Sequence, residues 1–265
     1  MLTLASVSYR YPGARAPSLV DVSLALGPGE VVGVVGANES GKTTTCLVAA
    51  GLAPRAVGGT LSGQARVDGR PLAEVPPGEL AALVGIAFAN ATLSGMCSTV
   101  YEEVAFGPMN LGLPRNEVMA RTARALETVA IADLAARDPE HVSGGQRQLV
   151  VLAGLLALEP RHLVLDEPTA HLDPVGTRLV GEAITALAAG GASILIAEQK
   201  TDLLVAICGR VIALEHGRVA LGGEATSVLA DPALESLGVD PPTSVRLRRL
   251  AAAAGVDAAR LEETT

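Results

Sequence analysis

A glycine-rich segment that directly follows a short apolar run carries the clearest chemistry in this chain. The apolar run is residues 31–35, and the next residues are Gly36-Ala37-Asn38-Glu39-Ser40-Gly41-Lys42-Thr43, with the spacing G-x-x-x-x-G-K-T. Glycines let successive N–H groups converge on phosphate oxygens, and a helix that starts near Lys42 adds its positive end. Lys42 can reach the β- and γ-phosphates, while the Thr43 hydroxyl can ligate Mg²⁺. The segment therefore predicts a site for a nucleoside triphosphate.

A pair of acidic residues ends another apolar run further along the chain. Asp166 and Glu167 follow residues 163–165, and Pro168 comes next. At the end of a buried strand, one carboxylate can hold Mg²⁺ through water, and its neighbour can orient or deprotonate an attacking water. The alternative is a plain acidic turn. The glycine-rich segment upstream favours the assignment of Asp166 to the metal and of Glu167 to the water.

Hydrophobic periodicity predicts the elements that must hold these residues. Residues 2–9 and 19–26 alternate as short antiparallel strands, and a helix over 43–50 follows the glycine loop and is closed by Gly51. A helix over 174–189 joins two buried strands by a right-handed crossover. The other predicted elements are strands at 81–88, 162–165 and 193–197, helical segments at 96–138 (punctuated by Pro108 and Pro114), 149–157 and 245–254, and a hairpin at 211–221.

Composition limits the class of partner. The 265 residues carry a net charge of −8, which opposes a nucleic-acid surface because such a surface needs a basic face. Arg246, Arg248 and Arg249 are interpreted as one solvated helix face. Hydrophobic residues make up 49% of the chain, yet the apolar stretches are too short or too interrupted for a membrane span, and we expect no secretory signal. Three cysteines without metal-ligand spacing favour a reducing, cytoplasmic setting.

Two further motifs follow in series and, with the glycine loop, resemble a known family. Residues 142–148 read V-S-G-G-Q-R-Q, and residues 163–169 read L-V-L-D-E-P-T ahead of His171-Leu172-Asp173. In this order they resemble the signature, Walker B and D-loop segments of the ATP-binding cassette (ABC) ATPases. The resemblance implies an α/β fold: a P-loop NTPase core with a mainly parallel sheet, an N-terminal antiparallel β subdomain and an inserted α-helical signature subdomain. It implies an ATPase domain over 1–237, with the helical insert at about 96–158, and a C-terminal helical tail over 238–265.

The helical insert narrows the resemblance to one subgroup. Residues 100–114, Arg147-Gln148 and residues 153–160 resemble the energy-coupling factor ATPases of vitamin and transition-metal uptake systems. That resemblance implies an ATP-hydrolysing importer subunit at the cytoplasmic face of the membrane, with ATP and Mg²⁺ as cofactors. A transmembrane partner would dock on residues 96–113. Two alternative functions differ from this one. The first is a non-transport cassette in DNA repair or translation, which the acidic net charge opposes. The second is a regulatory subunit without turnover, which Glu167 opposes.

The resemblance also implies a role for each site residue. Lys42, Glu167 and Gln199 would be catalytic, and Thr43 and Asp166 would hold the metal. The signature residues would face the γ-phosphate held by a second ATPase subunit, so the site is completed only in a dimer, with Asp173 at the dimer seam. Tyr11 is favoured over a plain core tyrosine as the aromatic that stacks on adenine. The implied ATP-binding residues are Tyr11, Gly36, Ala37, Asn38, Glu39, Ser40, Gly41, Lys42, Thr43 and Thr44, and the signature residues are Ser143, Gly144, Gly145 and Gln146.

Two positions depart from the family pattern. The family carries a glutamine after the strand that ends at Phe88, where this chain has Ala89, and a switch histidine where this chain has Gln199. An amide can donate a hydrogen bond but cannot become cationic against developing phosphate charge. His216 lies in the following hairpin turn and is no substitute. We therefore hypothesise an asymmetric pair, in which this chain's own site is slow and its signature completes a competent site on a different cassette.

Overall fold

The computed structural model describes residues 1–89, 93 and 96–254. Their strands form a four-stranded antiparallel sheet in the order β2-β1-β4-β5 and a six-stranded sheet in the order β10-β9-β3-β8-β7-β6. These strands are β1 (Leu2–Arg10), β2 (Leu19–Leu26), β3 (Val31–Val35), β4 (Thr60–Val67), β5 (Arg70–Pro71), β6 (Val84–Ala87), β7 (His162–Asp166), β8 (Ser193–Ala197), β9 (Arg210–Glu215) and β10 (Arg218–Glu224).

The helices surround the six-stranded sheet and form a separate helical layer beside it. They are α1 (Lys42–Ala49), α2 (Pro77–Leu83), α3 (Val100–Asn110), α4 (Arg115–Thr128), α5 (Gly144–Leu158), α6 (Pro174–Ala189), α7 (Thr201–Ile207), α8 (Ala225–Ala230), α9 (Ala233–Ser236) and α10 (Thr243–Ala253). The mutually packed helices α3, α4 and α5 make up the inserted helical layer. The predicted fold class is therefore confirmed.

The central strands β3, β7 and β8 are buried along their whole length. Alternate residues face opposite sides: Val32, Val164 and Leu195 pack with α1 and the antiparallel sheet, whereas their neighbours pack with α5 and α6. Strands that are covered on both faces read as continuous apolar runs, which is the pattern that predicted β7 and β8. Both faces of these strands are thereby fixed against the rest of the molecule.

The predicted strand at 81–88 is partly wrong. Residues 81–83 belong to α2, and only Val84–Ala87 form β6. Pro77 stands at the start of α2, where its fixed φ angle suits a helix and its missing N–H costs no intrahelical bond. The apolar run 81–88 therefore spans a helix end and a strand start, which periodicity cannot separate.

Three other predicted helix features can be compared with the structure. Pro108 lies inside α3 instead of ending it, because it stands in the last turn, where only one helical hydrogen bond is lost. The helix predicted at 149–157 begins earlier, at Gly144, because Ser143 caps it. Gly51 has the predicted capping role: its φ angle is +70°, and the N–H of Leu52 bonds to the carbonyl of Leu47.

The C-terminal segment is attached beside the end of β8. The Asp202 carboxylate accepts bonds from the Thr243 N–H and hydroxyl, both at 2.7 Å, at the start of α10. Arg249 pairs with Glu235 and is not simply solvated. Residues 255–265, which include the acidic end of the predicted tail, lie outside the described residues, and the division at residue 237 stays a prediction. Within the described part of the chain, no helix is long and apolar enough to cross a membrane.

Candidate functional site

Five parallel strands end side by side at one edge of the six-stranded sheet. β3 pairs in parallel with β8 and β9, β7 pairs with β8, and β6 pairs with β7. Their carboxyl ends lead into the glycine loop, the switch position, the acidic pair, Ala89 and the β9–β10 turn. In open α/β sheets, ligands bind in the crevice outside these strand ends. The sheet therefore gathers side chains from segments that are far apart in sequence.

The glycine loop has the backbone shape of a phosphate cradle. Gly36 has a φ angle of +151° and Gly41 one of +112°, and α1 begins at the next residue, Lys42. A Cβ at Gly36 would lie 2.5 Å from the carbonyl oxygen of Leu214 and would clash with the Ser40 hydroxyl. Only glycine fits this close approach, so the two motif glycines are required by geometry as well as by spacing.

The Lys42 ammonium points back into the loop. Its Nζ donates to the carbonyl oxygens of Gly36 at 2.8 Å and Ala37 at 3.0 Å. Burial lowers the pKa of Lys42, and the nearby carboxylates of Glu167 and Asp166 act against that shift. The ammonium is thus held among carbonyls, where a bound phosphate would offer it stronger, charged acceptors.

Asp166 supplies a buried carboxylate that suits a divalent cation. It is 5% exposed, and no described residue offers a hydrogen bond to its Oδ1 oxygen. Burial raises its pKa, and Glu167 adds to that rise, while the Thr43 hydroxyl and Lys42 lower it. An orphaned buried carboxylate oxygen beside a hydroxyl is the oxygen donor set that Mg²⁺ prefers. Thr43 and Asp166 therefore fit the predicted metal.

Glu167 is held by backbone and side chain together. Its φ angle is +51°, a left-handed conformation that is unusual for a residue other than glycine. The Glu167 N–H donates to the carbonyl of Ala197 at 2.8 Å. The Gln199 Nε2 donates to Glu167 Oε1 at 2.7 Å. The residue at the switch position therefore contacts the predicted catalytic carboxylate directly.

A cleft of about 670 Å³ lies over the start of α1 and brings many of the predicted residues together, although Gly36, Ala37, Ser40, Asp166 and Gln199 are not in its lining. Tyr11 is half-buried in its wall, with its hydroxyl 3.1 Å from the Thr44 Oγ1. Tyr9 is fully buried and instead stacks edge-on against Tyr11, at 4.9 Å between ring centroids. Of the two tyrosines, the one that was favoured for adenine is the one with an accessible ring. The cleft is lined by Tyr11, Ala16, Pro17, Ser18, Asn38, Glu39, Gly41, Lys42, Thr43, Thr44, Glu167, His216 and Gly217.

The predicted signature residues lie elsewhere. Ser143 caps α5, and its side chain and that of Gln146 form a reciprocal capping box, with bonds of 3.2 and 3.0 Å. Ser143 and Gly144 are exposed. Among the described residues, none of the four signature positions lines the cleft that holds Lys42 and Glu167. The start of α5 is therefore open to a second molecule and does not serve this chain's own cleft.

Ala89 and Asp173 complete the predicted set. Ala89 follows β6 at the same sheet edge, is half-buried and has no polar side-chain atom. Asp173 caps α6, with its Oδ1 accepting from the Gly176 N–H at 2.7 Å. It is exposed in the loop between β7 and α6.

Comparisons with known proteins agree with this arrangement. Residues 19–170 match the ABC transporter family. The chain belongs to the ABC transporter ATP-binding family. A putative ABC transporter ATP-binding protein of Pyrococcus abyssi is 36% identical over 93% of this chain and 89% of its own length. One of Synechocystis is 37% identical, over 91% and 81%.

Solved structures extend the likeness of this ABC cassette to nearly its whole length. cbiO1 from Clostridium perfringens, part of the ABC transporter complex cbiONQ, has a TM-score of 0.77 at 28% identity and covers 96% of this chain and 98% of its own. That neighbour supports the resemblance to the energy-coupling factor subgroup. A bacterial ABC transporter cassette solved as a dimer has a TM-score of 0.76 at 23% identity over 85% of this chain and 99% of its own, which shows a shared fold.

His216 is a residue of this ABC cassette whose position the sequence reasoning missed. It lines the cleft, and the N–H of the next residue, Gly217, donates to the Ser40 carbonyl at 2.9 Å. The predicted hairpin at 211–221 is confirmed, because β9 and β10 pair in antiparallel around the His216-Gly217 turn, but β9 also has a second neighbour. Its parallel pairing with β3 brings the turn to the site, and no local pattern marks that pairing.

We expect Gly36→Ala to weaken ATP binding by roughly tenfold or more, because the added Cβ clashes with the Ser40 hydroxyl and the Leu214 carbonyl. The measurement is the dissociation constant for ATP by calorimetry. Gly69→Ala is the matched control, since Gly69 has a φ angle of +80° but no atom within 4 Å of an added Cβ. Equal affinity of Gly36→Ala and the wild type would contradict a phosphate-binding role for this loop.

Proposed function

We propose that this chain is the ATP-hydrolysing subunit of an importer of the energy-coupling factor type. One observation carries the proposal: Lys42, Asp166 and Glu167 converge at one sheet edge, whereas the signature start at Ser143 is exposed and does not line that cleft. A site divided in this way needs a second cassette. ATP-driven closure of two cassettes then supplies the movement that a transporter uses.

Each residue of the cleft has a distinct task in this proposal. Tyr11 stacks on the adenine, and the glycine loop and Lys42 bind the phosphates. Thr43 and Asp166 hold Mg²⁺, which neutralises charge on the β- and γ-phosphates when bound. Glu167 orients the attacking water and accepts its proton.

The dimer follows from the outward signature. The N–H groups that open α5 are the positive end of a 15-residue helix, and the Ser143 hydroxyl lies beside them. In the proposed dimer they approach the γ-phosphate bound by the facing cassette. Asp173 lies in the loop beside them, since the carbonyl of His171 is 3.3 Å from a Cβ built at Gly145. The same face then carries both the signature and the dimer seam.

The exposed apolar residues of the helical layer support a membrane partner. Met96 is 73% exposed, Met109 is 63% exposed, and Phe106 lies between them at 37%. Three exposed apolar side chains in one segment of the chain favour a contact surface there. We propose that residues 96–113 are the docking site for a cytoplasmic loop of a transmembrane subunit. The cassette then lies at the cytoplasmic face of the membrane.

The site of this chain is proposed to turn over slowly. Ala89 offers no polar atom, and the Gln199 amide occupies Glu167 Oε1 while carrying no charge toward a phosphate. The same hydrogen bond favours a second candidate function, the nucleotide-binding regulatory half of an asymmetric pair. Rates of ATP hydrolysis distinguish the two functions.

We expect the purified chain to hydrolyse ATP slowly and Glu167→Gln to lower that rate by about 10²-fold or more, since the variant loses the general base. ATP affinity should stay within about twofold, because the amide keeps the shape of the carboxylate. Steady-state phosphate release and ATP titration provide the two measurements. Binding without any Glu167-dependent turnover would favour the regulatory half, and an absence of ATP binding would refute both functions.

We expect Gln199→His to raise turnover by about tenfold or more, because an imidazolium supplies the positive charge that the amide lacks. Gln64→His is the matched control, as Gln64 is an exposed glutamine on β4. Single-turnover hydrolysis with saturating ATP checks the prediction. A lower rate in Gln199→His would mean that the glutamine is the better switch residue here and that the site is not impaired by it.

We expect Met109→Glu to abolish most membrane association of the tagged chain in its native host, because a charge on the apolar surface opposes docking. Met119→Glu serves as the control, since Met119 is also exposed, at 52%, but lies on α4. The measurement is the fraction of chain that sediments with membranes. Retained association of Met109→Glu would argue against docking through residues 96–113.

A further inference from the structure

The three residues after β8 all bind the loop that follows β7. Glu198 accepts from the Thr169 hydroxyl at 2.5 Å and from its N–H at 3.3 Å. Gln199 donates to Glu167, and Lys200 donates to the carbonyl of Thr169. Thr169 is fully buried and is held from both sides. The loop over 167–173, which we call the acidic loop, is thus fastened to the switch segment at successive points.

Lys200 makes the most extensive of these connections. Its Nζ donates to the carbonyls of Thr169 at 2.8 Å and Leu172 at 3.1 Å, and to the Thr177 Oγ1 at 3.0 Å. An ammonium has three N–H donors, and all three are used. Thr169 and Leu172 flank the exposed residues Ala170 and His171, and Thr177 stands in the first turn of α6. One cation therefore ties the loop to the helix that Asp173 caps.

A lysine at position 200 agrees with this arrangement of three acceptors. Of the 20 lysine and arginine residues in the chain, only Lys42 and Lys200 are lysines. Lys42 fills the phosphate-binding position, where a compact ammonium converges on several oxygens. Lys200 meets three acceptors in the same way, which the flat, forked guanidinium of arginine does not match. The second lysine stands where three converging donors are required.

Buried Glu198 supports the same loop through other atoms of Thr169. It is 2% exposed, and its Oε1 accepts the N–H groups of Gln199 at 2.8 Å and Lys200 at 3.2 Å. Its carboxylate therefore fixes the backbone of the switch segment as well as Thr169. A shift of the acidic loop has to break bonds to both Glu198 and Lys200.

We propose that Lys200 is a positioning residue for dimer closure: its ammonium holds the acidic loop and the first turn of α6 in the shape that meets a second cassette. This inference rests on the proposed function, in which Asp173 and the adjoining signature form the dimer face. Lys200 does not contact the cleft that holds Lys42 and Thr43. Its loss lowers dimer affinity and kcat while leaving the ATP affinity of the single cassette unchanged.

The first test measures the loop in the full-length chain without nucleotide. Lys200→Met keeps most of the aliphatic stem and removes the three donors. We expect hydrogen–deuterium exchange of the amides of residues 169–177 to accelerate about tenfold or more, and exchange of residues 36–45 to stay unchanged. Arg70→Met is the control, since it removes an exposed cation that pairs with Glu79 on the antiparallel sheet side. Unchanged exchange at 169–177 in Lys200→Met would overturn the proposal.

The second test measures closure, with Glu167→Gln as the parent because it retains ATP. We expect Lys200→Met to weaken ATP-dependent dimerisation of this parent by about tenfold, with ATP affinity within twofold. Lys200→Arg should recover less than half of the loss, because a planar fork does not meet all three acceptors. Dimer affinity within twofold of the parent, despite a loosened loop, would overturn the role in closure. A parent that neither dimerises nor binds ATP refutes the proposed function instead, and the exchange result still decides whether Lys200 holds the loop.

Discussion

Burial of the central strands on both faces fixes the alignment on which the rest of the structure depends. Every residue of β3, β7 and β8 is buried, with alternate side chains packed on opposite sides. A slip of one residue would exchange the two sets and leave apolar side chains against the wrong layer. The carboxyl ends of these strands therefore end at the same edge of the sheet, and Asp166 and Ala197 lie opposite each other. The cleft chemistry depends on that alignment.

Hydrogen bonds at the strand ends convert the alignment into side-chain geometry. The Glu167 N–H bonds to the carbonyl of Ala197, which continues the β7–β8 pairing by one residue and turns the backbone into the left-handed region. The Glu167 side chain then meets Gln199. A change of residue type at a single position can therefore alter the chemistry of the site without altering the fold. The reason is that the sheet, and not the side chain, determines where each residue lies.

Long, specific motifs were predictable because they are local. The glycine loop needs only residues 36–43 in one order, and the signature needs only residues 142–148. Boundaries were less predictable where local signals conflict, as at residues 81–83, where a proline-started helix continues an apolar run. The proximity of His216 had no local signal, since it arises from the pairing of β9 with β3 across more than 170 residues.

The sequence by itself determined the family and the fold class and predicted which residues would bind phosphate and metal, because those motifs are read from consecutive residues with known backbone requirements. The tertiary structure alone decided which strand ends are neighbours, that Gln199 contacts Glu167, that Ser143 is exposed outside the cleft, and that Lys200 holds the acidic loop. The physical reason is that these contacts join segments separated by about 20 residues or more. Their hydrogen-bond partners are set by strand order and burial, which local periodicity does not specify.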